Sequence, residues 1–312
     1  MQTVRGLTNI PAAVRGGALA IGNFDGVHRG HQALLRLAVE EGKRSASPAG
    51  VMVFEPHPRA FFMPDEPHFL LTPLPMKLQL LEAEGLDFTV VVDFNGPFAA
   101  LSAEQFIEQT LYRDLGVGHV VIGYDFFYGA RRRGNPQMMR EAGERLGFGV
   151  TVVEPVAERG EVFSSSTARL HLAQGDVAGA AGILGRRWRV AGRVVGGAKR
   201  GTGLGYPTAN IPMPRGTALA HGIYAVHTWV DGEAHDGAAY LGTRPTFDNG
   251  MPVLEVFLFD FDGNLYGKEI EVEFVGFVRD DRKFSNPQEL VHQMDVDVTR
   301  AREMLRAKPS AP

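Results

Sequence analysis

Short apolar runs alternate with helical patterns over the first half of the chain. Ser102 and Gln105 form a capping-box pair at the start of one helical stretch, and Asn135 and Gly147 bracket another. This alternation predicts a parallel sheet flanked by helices, in which each apolar run is a buried strand. The predicted strands are residues 18–22, 51–54, 88–94, 119–123 and 150–153.

The second half changes to runs rich in β-branched and aromatic residues, which are typical of strands. Turn signals lie between or beside these runs, at Asp231-Gly232 and at residues 262–264. The pattern predicts a small antiparallel barrel or sandwich. Its predicted strands are residues 188–195, 223–230, 253–261 and 270–278.

A helix is predicted after the last of these strands. Asn286 can cap it, Pro287 occupies its first turn, and Glu289 completes a capping box. Its apolar face is expected to pack against the barrel. That face consists of Leu290, Met294, Val298, Ala301 and Leu305.

A short helical stretch at residues 176–184 separates the two patterns, and we place the domain boundary near residues 182–187. The chain of 312 residues suits about two domains of ordinary size. We therefore predict an α/β domain at residues 1–184 and a β-barrel domain with a terminal helix at residues 185–312.

Composition excludes several classes of function. The chain has no cysteine, which rules out disulfides, thiolate zinc sites and cysteine nucleophiles. A net charge of -4 argues against nucleic acid as the main partner, because that binding depends on an excess of Lys and Arg. No apolar run approaches the roughly 18 residues of a membrane span. We expect a cytoplasmic protein with no nucleic-acid or membrane partner, and the sequence gives no indication of an oligomer.

The segment Gly-Asn-Phe-Asp-Gly-Val-His-Arg-Gly-His, residues 22–31, follows the first predicted strand and enters a helix. Its glycines allow the backbone to approach a ligand closely, and the amides of a helix N-terminus attract anions. His28 and His31 can donate hydrogen bonds to phosphate oxygens. A single histidine here would more simply be a helix cap or a core residue, but the pair within the glycine frame favours phosphate binding.

This segment resembles the His-x-Gly-His motif of the nucleotidyltransferase superfamily, in the form found in bacterial bifunctional riboflavin kinase/FAD synthetases. The resemblance implies a Rossmann-like first domain. It also implies that His28 and His31 are catalytic: they bind the ATP phosphates and stabilise charge while the phosphate of FMN attacks the α-phosphorus. The further ATP contacts that it implies in this segment are Gly22, Asn23, Phe24 and Asp25.

Three more segments of the first domain match the family at the expected places. His57 lies between prolines after the second strand, and Asp125 ends the fourth. Ser164, Ser165 and Arg169 begin a helix, and their hydroxyls and guanidinium suit a triphosphate. Taken alone, these residues would also be explained by a structural loop, a turn aspartate and a serine-rich helix cap. The resemblance assigns all five to ATP binding.

Glycines and basic residues are concentrated at residues 196–210, which suggests a loop that wraps phosphate. The loop lacks the spacing of a Walker motif. Its ending Pro-Thr-Ala-Asn resembles the riboflavin kinase signature, which implies that Thr208 and Asn210 coordinate Mg²⁺ bridging the ATP phosphates. The ATP contacts that the resemblance implies here are Gly197, Lys199, Gly201, Gly203, Gly205, Thr208 and Asn210.

Glu255 lies in the middle of a predicted strand, where a carboxylate would ordinarily face solvent. Its match to the kinase family implies a general base that takes the proton of the riboflavin 5'-hydroxyl. Arg244, Phe247 and Arg279 also match the kinase pattern, and the resemblance implies that they contact the flavin.

The resemblance extends from about residue 18 to residue 305, with motifs of both halves in the family's order. It implies an enzyme that phosphorylates riboflavin to FMN and adenylylates FMN to FAD, with ATP as co-substrate and Mg²⁺ as cofactor. Two alternatives stay open. One half alone could be active, or the protein could be a flavin-binding regulator without turnover.

Overall fold

The computed structural model describes residues 1–158, 160–196, 206–243 and 250–307. The chain divides into two compact units, Met1–Ser165 and Ser166–Pro312. Within the described residues, no helix combines the length and hydropathy needed to cross a bilayer.

The first unit is a parallel sheet covered on both faces. Its six strands run in the order β1-β4-β3-β2-β5-β6. The strands are β1 Gln2–Arg5, β2 Ala18–Ile21, β3 Ala49–Glu55, β4 Phe88–Asp93, β5 His119–Gly123 and β6 Gly149–Val153. The main helices are α1 Arg29–Ser45, α2 Pro58–Phe62, α3 Leu74–Ala83, α4 Gly96–Ala99, α5 Ala103–Gln105 continued by a π-helix at Phe106–Leu115, and α6 Pro136–Leu146. Short 3₁₀ turns lie at Ala12–Val14 and Ala130–Arg132, and β7 Ala157–Glu158 pairs with β8 Glu161–Val162.

Successive strand residues enter two separate cores because side chains alternate across a sheet. Ile21 packs with Phe106 and Leu111 on one face. Ala20, the residue before it, packs with Leu35 of α1 on the other face. This two-sided burial explains why the strands appear in the sequence as unbroken apolar runs. The prediction of a parallel sheet with flanking helices is confirmed.

The second unit is an antiparallel sheet of six strands in the order β10-β13-β12-β11-β14-β9. Two helices precede it, α7 Ser165–Ala173 and α8 Val177–Leu184, and α9 Pro287–Arg306 follows it. The strands are β9 Arg189–Arg193, β10 Ala209–Pro212, β11 Gly222–Val230, β12 Glu233–Thr243, β13 Pro252–Leu258 and β14 Glu269–Asp280.

The two edge strands of this sheet are joined just beyond β9. The Val195 N–H donates to the Asn210 carbonyl of β10 at 2.9 Å, and the two residues form an isolated antiparallel bridge. This contact, which we call the seam, brings the sheet close to a closed barrel. Of the two architectures that the sequence allows, the barrel is the one observed.

The helices α7 and α8 contact the barrel sheet. Leu172 accepts a hydrogen bond from the Ala220 N–H, and Gly175 lies against the Phe277 ring. The compact units therefore divide after Ser165, whereas the sequence pattern places the domain boundary near residues 182–187. The division into domains at residues 1–184 and 185–312 stays a prediction.

The terminal helix α9 packs on β11, β12 and β14. Val298, Ala301 and Leu305 contact the apolar side chains of Ile223 and Ala225. Asn286 caps the helix as predicted, but the proposed capping box is wrong in one detail. The Glu289 carboxylate accepts from the Ser285 N–H instead of from the cap residue itself.

A buried ion pair attaches α9 to the barrel. The Asp297 side chain, 5 % exposed, accepts hydrogen bonds from the Arg279 guanidinium, 17 % exposed, over 2.7 to 3.0 Å. Replacing Asp297 by alanine leaves this guanidinium uncompensated, so we expect a loss of about 3 to 5 kcal/mol in the free energy of unfolding. Urea unfolding followed by tryptophan fluorescence measures it, since both tryptophans, Trp188 and Trp229, lie in the second unit.

The matched control is Lys268→Ala, which removes an exposed ion pair with Asp231 from the same barrel. We expect that variant to lose no more than about 1 kcal/mol. Equal stabilities of the two variants would contradict a structural role for the buried pair.

Candidate active sites

The turn between β2 and α1 has an unusual backbone. Phe24 and Val27 adopt left-handed φ values of 49° and 39°, and Gly26 has a φ of 82°. Side chains other than glycine rarely adopt this region, so the turn must be held by its surroundings. It leads to His28, the N-cap of the long helix α1. This is the geometry in which backbone amides at a helix start can face an anion.

The two predicted catalytic histidines lie together at this helix start. Their rings are stacked with centroids 3.6 Å apart, and the His28 Nδ1 accepts from the His31 N–H at 3.3 Å. A Cβ at Gly30 would come within 2.8 Å of the Phe163 carbonyl and 3.0 Å of the His28 ring. Glycine is therefore required there, because any side chain would displace the histidine or the segment beside it.

The segment that follows α2 stabilises this turn through hydrogen bonds. The Asp25 carboxylate is buried and accepts from the N–H groups of Leu71 and Thr72 at 3.2 and 3.1 Å. The Thr72 hydroxyl oxygen accepts from the Gly26 N–H at 2.9 Å, and the Lys77 ammonium donates to the Asn23 carbonyl at 2.8 Å. The Asp25 carboxylate is thus bonded within the protein.

Other predicted residues lie along the same edge of the sheet. Because β3, β2 and β5 are neighbouring parallel strands, the residues after their carboxyl ends share one edge. His57 follows β3 and caps α2, where its Nδ1 accepts from the Arg59 N–H at 3.1 Å. Asp125 follows β5 and is exposed. Gly22 directly follows β2, so the structure brings these segments to a common rim.

The serine segment also reaches the turn. The Ser165 hydroxyl donates to the Asp25 carbonyl at 2.8 Å, and the half-buried Ser164 immediately precedes it. Arg169 lies further along α7, beyond the division between the two compact units.

Thr72 and Lys77 are not among the residues predicted from the sequence, although a signal for the lysine exists. In α3 the buried residues are Lys77 and Leu81, four positions apart on one helix face. A lysine at a position where the helical pattern requires an apolar residue indicates a buried charge with a partner.

In the second unit, several predicted residues lie outside the part of the chain that the structure describes. They are Gly197, Lys199, Gly201, Gly203, Gly205, Arg244 and Phe247. The predicted metal ligands Thr208 and Asn210 are described, and Asn210 belongs to β10 next to the seam. The Asn210 side chain is buried, 5 % exposed, and its amide donates to the Thr208 carbonyl at 3.3 Å.

Glu255 lies in the middle of β13, between two strands. Its direct partners in the register are Asn210 of β10 and Tyr240 of β12. Directly opposite residues project on the same face, with Cβ atoms roughly 4.5 to 5.5 Å apart. Glu255 is half-buried in this row, unlike the solvent-facing glutamate that an alternating strand would otherwise suggest. The carboxylate and the Asn210 amide are therefore neighbours.

The same row continues through Ile223 of β11 to Arg279 of β14. The Arg279 guanidinium is already engaged by Asp297 and by the Asp280 carbonyl, to which it donates at 2.8 Å. Arg279 is thus tied to α9 at the far end of the row. A direct contact with flavin, as the sequence analysis predicts, stays a prediction.

The segment leading into β10 is also attached to α9. The Tyr206 ring packs on Phe257 with centroids 5.1 Å apart, and its hydroxyl donates to the Asp295 carboxylate. Burial, together with this hydrogen bond and the charge of Asp295, raises the pKa of Tyr206 to about 12. The hydroxyl therefore stays protonated as a donor at neutral pH, just before the predicted metal ligands.

The side-chain oxygens near the seam suit Mg²⁺ as ligands. Thr208 and Asn210 supply side-chain oxygens, and the carboxylate of Glu255 lies in the next strand. Mg²⁺ prefers oxygen ligands and usually binds one or two protein groups, with water and phosphate oxygens in its other positions. The residues present fit an ion that is shared with a nucleotide.

Comparisons with known proteins cover both units. Residues 10–167 match the family model described as FAD synthetase, and residues 184–305 match the model described as riboflavin kinase. A Haemophilus influenzae protein named bifunctional riboflavin kinase/FMN adenylyltransferase is 40% identical over 97% of this chain and 98% of its own length. A Pseudomonas fluorescens protein of the same name is 39% identical over 100% of this chain and 99% of its own.

A solved structure is similar over the same extent. The crystal structure titled macrolide-efflux protein from Streptococcus pneumoniae has a TM-score of 0.83 and 27% identity, and covers 97% of this chain and 99% of that one. The family models and the relatives agree on the order of the two matched regions. The chain therefore belongs to the bifunctional riboflavin kinase/FMN adenylyltransferase family.

Proposed function

We propose that the chain makes FAD in two ATP-dependent steps. Residues 185–312 phosphorylate riboflavin to FMN and release ADP, and residues 1–184 transfer AMP from ATP to FMN and release pyrophosphate. The observation that carries the proposal is that one chain holds two separate clusters of the predicted site residues: the stacked rings of His28 and His31 at the start of α1, and Asn210 paired with Glu255 across two strands of the barrel. Each cluster lies inside the matched region of the corresponding family model.

In the adenylyl-transfer step, an oxygen of the FMN phosphate attacks the α-phosphorus of ATP, and the bond to the pyrophosphate oxygen breaks. Such transfer depends on positioning and charge stabilisation more than on covalent help from the protein. His28 and His31 would donate hydrogen bonds to the phosphate oxygens at the start of α1. The other proposed ATP contacts are Gly22, Asn23, Phe24, Asp25, His57, Asp125, Ser164, Ser165 and Arg169.

In the kinase step, the riboflavin 5'-hydroxyl oxygen attacks the γ-phosphorus of ATP and ADP leaves. Glu255 would accept the hydroxyl proton as the general base. Thr208 and Asn210 would hold Mg²⁺, which when bound neutralises the charge of the phosphates. The half-buried position of Glu255 beside Asn210 supports this assignment.

The remaining proposed contacts of the kinase half lie on loops and at the end of β14. The glycine loop is assigned to the ATP phosphates through Gly197, Lys199, Gly201, Gly203 and Gly205, and the flavin to Arg244, Phe247 and Arg279. Because Arg279 is bonded to Asp297, we infer that it acts on the flavin only with that pair in place. A cytoplasmic location remains a prediction from the sequence.

Incubation of the full chain with riboflavin, ATP and Mg²⁺, followed by chromatography of the flavins, tests the proposal. We expect FMN to appear first and FAD to follow, and neither to form when EDTA removes the metal. Formation of FMN without FAD would show that only the kinase half is active. Formation of FAD from added FMN, but not from riboflavin, would show that only the adenylyltransferase half is active. Binding of flavin without turnover would instead indicate a regulator. Both family models describe flavin enzymes, so the name of the pneumococcal protein carries no argument for efflux by this chain.

A further inference from the structure

Lys77 is a buried charge that the proposed mechanism does not use. Its side chain lies on the inner face of α3 with 2 % exposure. Burial lowers the pKa of Lys77, while the charges of Asp25 and Glu55 act in the opposite direction. A buried ammonium costs free energy unless it is paired and hydrogen-bonded, so its partners indicate what it is for.

The hydrogen-bond partner of Lys77 lies in the turn that carries the histidines. The ammonium donates to the Asn23 carbonyl at 2.8 Å, at the beginning of that turn. In a planar trans peptide the carbonyl and the following N–H point in opposite directions. The bond therefore directs the Phe24 N–H away from Lys77. Phe24 itself has a left-handed φ of 49°, a conformation that needs support from the surrounding structure.

The other bonds behind the turn act further along it. Asp25 is held by Leu71 and Thr72, and Gly26 is held by the Thr72 hydroxyl. Lys77 thus fixes the peptide between Asn23 and Phe24, near the start of the turn. Leu71 and Thr72 fix the middle of the turn. His28 and His31 lie further along the same short segment, so the orientation of the peptide between Asn23 and Phe24 contributes to where the two rings stand relative to the sheet edge.

We propose that Lys77 is a positioning residue for adenylyl transfer, which acts by holding the Asn23 carbonyl and so the orientation of residues 22–31. The proposal rests on the adenylyltransferase function proposed above. Lys77 contacts neither ATP nor FMN in this scheme. Its removal should therefore lower kcat for FAD formation more than it changes KM for FMN.

The test compares Lys77→Met, which keeps an unbranched stem without the charge, with Lys77→Arg, which keeps charge and donors. The matched control is Lys43→Met, an exposed lysine near the end of α1. We expect Lys77→Met to lose about 10²-fold in kcat for FAD formation from FMN, the scale of a small misplacement of reacting groups. Riboflavin phosphorylation should be retained, and Lys43→Met should behave as the wild type.

The arginine variant separates positioning from packing. If Lys77 acts through its hydrogen bond, Lys77→Arg recovers part of the lost kcat. If only packing matters, the bulkier arginine is worse than methionine, and this order overturns the proposal.

Wild-type activity of Lys77→Met also overturns it. Should Lys77→Met fail to fold, a folded Lys77→Arg protein without adenylylation overturns the proposal, and an active one supports it. A wild-type chain that makes no FAD from FMN would instead refute the proposed function itself.

Discussion

Replacing Glu255 by glutamine is expected to lower the rate of FMN formation from riboflavin by about 10²- to 10⁴-fold, the usual contribution of a general base. Glutamine keeps the size of the side chain and its place beside Asn210 and Tyr240, but it cannot accept the hydroxyl proton. The measurement is the initial rate of FMN formation with saturating ATP and Mg²⁺. FAD formation from added FMN should be unchanged.

The control for this variant is Glu271→Gln. Glu271 is also a half-buried glutamate within a strand of the same barrel, and it pairs with Arg189 at 3.7 Å. Its replacement should leave FMN formation nearly unchanged, because the ion pair with Arg189 is partly exposed and such pairs contribute little to stability. Equal losses in the two variants would show that a general change in the barrel is responsible, and Glu255 would then not be the base.

The second large effect is expected for His31→Ala. We expect FAD formation from FMN to fall by about 10²- to 10⁴-fold while riboflavin phosphorylation continues. The imidazole is stacked on His28 at the start of α1, where charge develops as pyrophosphate leaves. Chromatography of flavins with FMN or riboflavin as the starting substrate measures the two steps separately.

His119→Ala serves as the control for removal of an imidazole from the same sheet. His119 begins β5, at the edge opposite to the proposed site, and bonds to the Thr151 hydroxyl at 2.8 Å. FAD formation should be largely retained in this variant. Parallel loss of both flavin products in His31→Ala would contradict the independence of the two sites.

Much of the fold could be predicted because the parallel strands are buried on both faces. The strands that the sequence analysis missed lack this signal. β12, Glu233–Thr243, is rich in alanine and glycine, and it is a strand because β11 and β13 pair with it on both sides. β10, Ala209–Pro212, and β1, Gln2–Arg5, are too short for a periodic pattern.

The arrangement of the candidate site could be predicted only where its residues share one short segment. His28 and His31 are such a case, because the turn and the helix start are local. The bonds to Asp25 come from Leu71 and Thr72, and Arg279 is bonded by Asp297 on a different element. Partners this distant are determined by tertiary packing, which single-sequence patterns do not report.

The contact between Val195 and Asn210 couples closure of the barrel to the proposed metal site, because Asn210 belongs to both. Asn210 is at once a strand residue, a partner across the join and a proposed metal ligand. A nucleotide–metal complex that binds Asn210 only in the closed form must oppose opening of the join by the free energy of its own binding. Bound nucleotide would then stabilise the closed form of the barrel that binds it.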